Sequence, residues 1–134
     1  MRRAGLLHAE LAGWVARLGH TDELVVADCG LPVPPGVPVV DLAVTAGAPG
    51  LLPVLDVRLA ELVVEGAVAA DEVREHPMGT ALGPRFTDLR FEPHEALEVR
   101  SVGARLVVRT GEATPYANVV LRRALLTVGP LPRA

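Results

Sequence analysis

Leu24-Val25-Val26-Ala27-Asp28-Cys29-Gly30-Leu31-Pro32 is the stretch on which the fold turns. Four apolar residues in a row, bounded by charge on one side and by a carboxylate, glycine and proline on the other, read as a short strand covered on both faces. Strands of that kind belong to α/β sheets, where the loops leaving the carboxyl ends of the strands form the crevice in which ligands bind. Asp28 stands at such an exit. Just upstream, Leu7, Leu11, Trp14, Val15 and Leu18 recur at helical spacing, so residues 6–18 form an amphipathic helix with Gly19 as its stop. His20 follows at once, beyond a helix C-terminus whose negative dipole end favours imidazolium. The sequence thus delivers one titratable group at a helix exit and a second at a strand exit.

Outward from this centre, the prolines of residues 31–38 forbid helix and give a stiff extended loop. A strand is expected over 39–44, a loop over 45–50, and a helix to about residue 62 with Pro53 in its first turn. Residues 63–73 fit a buried strand or a continuing helix almost equally, and Gly66 favours the strand because glycine is costly inside a helix. His76-Pro77 closes that element, and Gly79, Gly83 and Pro84 leave room only for a short helix in 78–86. A strand over 87–91, a helix over 93–101 opened by Pro93, a strand over 104–109, a loop over 111–115 and a closing strand over 118–128 complete the chain. Strands alternating with helices predict an α/β fold, with one mostly parallel sheet carrying helices on both faces and a single domain spanning 1–134.

Composition narrows the chemistry. Half of the 134 residues are apolar and the mean hydropathy is +0.35. For so small a domain that points to surface buried against further copies of the chain. Apolar runs break before about 18 residues, so no transmembrane helix is expected. No signal-peptide core forms, and the single cysteine, Cys29, allows no internal disulfide, which together predict a cytoplasmic protein. A net charge of −3 with the cations dispersed argues against nucleic acid. Every basic residue is arginine, which excludes lysine Schiff bases and the lysine of a phosphate-binding loop. The glycine-rich phosphate cradle is also missing, so an unphosphorylated ligand is expected. The histidines and Asp28 lack the spacing of zinc ligands, so no metal is expected. Cys29 adjoins a carboxylate, a poor setting for an activated thiolate.

The candidate residues carry two readings each. His20 titrates near neutrality and suits proton transfer, or it merely neutralises a helix end. Asp28 accepts hydrogen bonds from ligand hydroxyls, or it forms an Asx turn into Gly30. Tyr116, one of four aromatics, stands in the loop Thr114-Pro115-Tyr116; it faces a ligand ring or packs the loop to the core. Asn118 offers both donor and acceptor, matching hydroxyls, or it turns the chain. His94 opens a helix, where the positive dipole end favours the neutral imidazole as a hydrogen-bonding group. His8 and His76 read as solvated helix positions.

Three separated motifs, Gly19-His20-Thr21-Asp22, Val26-Ala27-Asp28-Cys29-Gly30-Leu31-Pro32-Val33-Pro34 and Arg109-Thr110-Gly111-Glu112-Ala113-Thr114-Pro115-Tyr116-Ala117-Asn118, make the chain resemble the D-ribose pyranase family of sugar mutarotases, related to fucose mutarotase. The resemblance runs in order to about Val128. It implies a pyranase-like fold, no cofactor, and interconversion of β-D-ribopyranose and β-D-ribofuranose by acid/base-catalysed ring opening and closing. By position it makes His20 the catalytic acid/base and Asp28, His94, Tyr116, Ala117 and Asn118 the substrate-binding residues. It also implies a homodecamer of two pentameric rings. The chain departs from the family in a shortened 78–86 region and in its ending from Leu121 to Leu125. An L-fucose-type mutarotase and a non-catalytic sugar-binding protein of the same fold are the alternatives.

Overall fold

The computed structural model describes residues 8–19 and 22–123. Helix α1 (Ala9–Arg17) leads into strand β1 (Glu23–Ala27), followed by β2 (Val39–Asp41), α2 (Leu51–Glu61), β3 (Val64–Ala70), α3 (Pro77–Leu82), β4 (Leu89–Glu92), α4 (His94–Val102), β5 (Leu106–Arg109) and β6 (Val119–Arg123). The strands form one six-stranded sheet in the order β2-β5-β1-β6-β3-β4. The β1–β5, β2–β5 and β3–β4 pairs are parallel, whereas β6 is antiparallel to both of its neighbours. The sheet is therefore mixed but mostly parallel. Its antiparallel member lies in the middle.

Residue alternation along β1 sends side chains to two cores, as the two-residue period of a strand requires. Leu24 and Val26 join Leu11 of α1, Leu51 and Leu55 of α2 and Leu82 of α3 on one face, while Val25 and Ala27 meet Leu97 of α4 and Leu31 on the other. Helices thus cover both faces, as the alternation of elements predicts. Four of the five β1 residues are buried, matching the uninterrupted apolar run Leu24-Val25-Val26-Ala27.

Element boundaries differ from expectation where local hydrogen bonds intervene. β2 ends at Asp41 rather than residue 44 because the Asp41 carboxylate accepts the Ala43 N–H at 3.0 Å and turns the chain. Beyond it, the N–H groups of Val44 and Thr45 donate to the Ala48 carbonyl and close a tight loop. Residues 63–73 resolve as β3 followed by one turn of 3₁₀ helix at Asp71–Val73. The two histidines read as solvated helix positions are helix caps: His8 Nδ1 accepts the Leu11 N–H at 3.2 Å, and His76 Nδ1 accepts the Met78 N–H at 3.0 Å. The short helix expected within 78–86 is the six-residue α3, which starts one residue earlier at Pro77 and in which a Cβ on Gly79 would collide with the carbonyl of Val73. The expected strand 118–128 is present as β6 through Arg123, and the remainder lies outside the described residues. Among the described residues no helix is long and apolar enough to cross a membrane.

Candidate functional site

Because β5 and β6 are separated in the sheet by β1, the chain leaving β5 must pass over the carboxyl end of β1 to enter β6. That crossing, residues 110–118, is laid directly over Asp28. β4 delivers α4, and with it His94, to the same edge. The site is thus assembled from strand exits, where an open sheet leaves a crevice.

Asp28 is 6% exposed. Its N–H donates to Asn118 Oδ1 at 2.8 Å, its Oδ2 accepts from Asn118 Nδ2 at 3.4 Å, and its Oδ1 accepts the Gly30 N–H at 3.0 Å. The Asx turn expected of this aspartate is present, and the carboxylate keeps further acceptor capacity, since it offers about four lone-pair sites. Next to it the Cys29 N–H donates to the Glu112 carbonyl at 2.9 Å, and the Arg109 guanidinium donates to the Cys29 carbonyl at 2.6 and 3.2 Å. Thr110 Oγ1 donates to the Ala27 carbonyl at 2.7 Å and accepts the Glu112 N–H at 3.1 Å. The β1 exit is therefore tied both to the end of β5 and to the crossing segment.

On the other wall, the His94 N–H donates to the Glu72 carboxylate at 3.0 and 3.2 Å, and His94 Nε2 lies 3.1 Å from Glu98 Oε1. The His94 and Tyr116 rings meet edge to face, with centroids 4.8 Å apart. Tyr116 sits at φ 62°, in the left-handed region that a side chain rarely adopts, and is 45% exposed. Between these walls opens a cleft of about 340 Å³ lined by Asp28, Cys29, His94, Glu112, Pro115 and Tyr116 among others. That volume lies at the lower end of the range of small-molecule sites.

Of the residues singled out from sequence, Asp28, His94 and Tyr116 line the cleft. Ala117 and Asn118 are buried immediately behind it, and Asn118 reaches it through Asp28. His20 lies outside the described residues; its flanks, Gly19 and Asp22, are tied by Gly19 N–H donating to Asp22 Oδ2 at 2.7 Å. Sequence reasoning missed Glu112. Burial raises its carboxyl pKa, but N–H and O–H groups from Leu51, Thr114 and Ala113 outweigh that and hold it below the ordinary value. The signal was the start of α2 at Gly50-Leu51, which has no side-chain cap of its own and needs an acceptor from elsewhere. Among the described residues no group of three metal-ligating side chains converges.

Comparison with known proteins adds a second line. The model of a family described as the RbsD / FucU transport protein family matches residues 1–126. D-ribose pyranase 1 of Rubrobacter xylanophilus is 56% identical over 124 residues, 91% of this chain and 96% of that protein. The structure of Bacillus subtilis RbsD complexed with D-ribose superposes with a TM-score of 0.88 at 38% identity, covering 94% of this chain and 99% of that one. The fucose mutarotase of Streptococcus pneumoniae in complex with L-fucose gives a TM-score of 0.69 at 20% identity over 90% of this chain and 94% of that one, a likeness of fold.

Proposed function

The chain belongs to the RbsD / FucU family, and from that premise we propose that it is a D-ribose pyranase, an isomerase that interconverts β-D-ribopyranose and β-D-ribofuranose in ribose catabolism. The observation that carries the proposal is the cleft over Asp28, where a carboxylate held by Asn118 and Gly30 faces a histidine and a tyrosine. Such a set of donors and acceptors suits a neutral polyol. The likeness to the ribose-bound relative favours ribose over fucose, since the fucose mutarotase resembles this chain in fold alone.

Ring interconversion needs one proton removed from the anomeric hydroxyl and one delivered to the ring oxygen. The bond between C1 and the ring oxygen breaks, an aldehyde forms, and a different hydroxyl attacks it as the protons return. No electrons are exchanged and no group is transferred, so proton carriers and hydroxyl-orienting groups suffice, and general acid/base help is worth roughly 10² to 10⁴-fold. His20 is the proposed proton carrier because imidazole titrates near neutrality. Asp28, His94 and Tyr116 orient the sugar, with Ala117 and Asn118 behind them.

The proposed working form is a cytoplasmic, single-domain subunit of residues 1–134, assembled as two stacked rings of five. Val99 and Val102, 73% and 66% exposed on α4, supply apolar surface for such contacts. Light scattering reads the subunit count. Saturation-transfer NMR on D-ribose tests the activity: exchange between ring forms is expected with the wild type and lost with His20→Ala. Exchange surviving that substitution at full rate removes His20 as the proton carrier, exchange no faster with the wild type than without protein leaves only a sugar-binding protein, and faster exchange of L-fucose than of D-ribose reassigns the substrate.

A further inference from the structure

Glu112 lines the cleft, yet the proton transfers proposed for the sugar give it no part. Its two carboxylate oxygens serve different segments. Oε1 accepts the Leu51 N–H at 2.9 Å, at the start of α2. Oε2 accepts the Thr114 N–H at 3.3 Å and the Thr114 hydroxyl at 2.9 Å. Its main-chain carbonyl meanwhile receives the Cys29 N–H beside Asp28. A residue serving only as a helix cap would need the first of these contacts. The Thr114 contacts act on the loop that carries Tyr116, two residues further on, in the left-handed conformation that non-glycine residues keep only where their surroundings hold them. The Ala117 N–H to Thr114 carbonyl bond at 3.4 Å closes that turn.

We infer that Glu112 is a positioning residue for the sugar. One oxygen is anchored on α2 while the other grips Thr114, and this fixes the 113–117 loop where Tyr116 meets His94 and walls the cleft over Asp28. The role rests on the mutarotase reading, because it is the sugar that Tyr116 is held to meet. It acts on binding, so its signature is a change in KM at nearly constant kcat.

Thr114→Val tests this while leaving the Leu51 contact of Glu112 in place. The KM for D-ribose is expected to rise about fivefold to tenfold, the order of the net worth of one lost hydrogen bond, with kcat held within about twofold. Thr114→Ser, which restores the hydroxyl, is expected to return KM to within about twofold of the wild type. Glu112→Gln is expected to shift KM in the same direction, and the threonine pair carries the test should that variant fold poorly. A wild-type KM in Thr114→Val, or a fall in kcat at unchanged KM, overturns the role of Glu112. Wild-type protein measured alongside separates the two readings: if it does not exchange the ring forms of ribose, the mutarotase reading fails and this role falls with it.

Discussion

Asp28 and Asn118, ninety positions apart in sequence, are joined by two hydrogen bonds running in opposite directions, main-chain N–H to side-chain oxygen and side-chain N–H to carboxylate. Both residues are buried, so neither bond can be exchanged for water without cost. Asn118→Ala leaves the Asp28 N–H unsatisfied and is expected to destabilise the fold by about 1–3 kcal/mol, read by urea denaturation. It should also raise the KM for D-ribose, because the carboxylate loses the group that aims it. Unchanged stability and KM together would contradict the pairing.

Tyr116 separates backbone cost from ring contribution. Holding a side chain in the left-handed region costs roughly 1–2 kcal/mol, which glycine does not incur. Tyr116→Gly is therefore expected to leave thermal stability equal or slightly higher while weakening sugar binding, and Tyr116→Phe to keep the contact with His94 and lose only the hydroxyl. Calorimetry paired with exchange NMR reads both effects.

The acid limb of stability depends on carboxylates held below their ordinary range. Glu92 is lowered chiefly by the hydrogen bond from Arg100, and Glu112 is lowered by its N–H and O–H donors against the opposing effect of burial. A carboxylate lowered in the native state contributes stability that is complete above the ordinary carboxylate range. That contribution is lost as pH falls through the native value. Glu112→Gln is thus expected to cost stability at neutral pH and to flatten the decline of the midpoint of urea unfolding at acid pH. An acid limb as steep as that of the wild type would show that Glu112 does not contribute.

Gly111 is pressed against the loop before α2. A Cβ there would lie 2.5 Å from the Thr45 carbonyl oxygen and closer still to that of Ala48, both main-chain atoms that cannot swing aside. Gly111→Ala is expected to destabilise by about 3 kcal/mol or more, the range of overpacking and backbone displacement. A shift in melting temperature of several degrees checks it.

The strand through Leu24, Val25 and Val26 and the carboxylate at its exit were legible because an unbroken apolar run has few other homes in a small α/β chain. Helix α4 was legible from Pro93, and the loop 45–50 from its small residues. The pairing of Asp28 with Asn118 was not, because it depends on β6 entering the sheet beyond β1, and strand order is a property of the whole packing. The direction of β6 left a trace: residues 110–118 contain no helix, and a parallel return normally needs a crossover of a dozen or more residues. Glu112 escaped notice because its role belongs to orphan N–H groups on another element, which a local reading of its own loop does not consult.

The central place of β6 governs how the molecule comes into being. β6 bridges the trio β2-β5-β1 and the pair β3-β4, and without it those two parts of the sheet have no strand to join them. Asn118 immediately precedes that strand, so the same event that joins the halves also seats the cleft. A chain stopped short of Val119 would lack the strand that closes the sheet between β1 and β3.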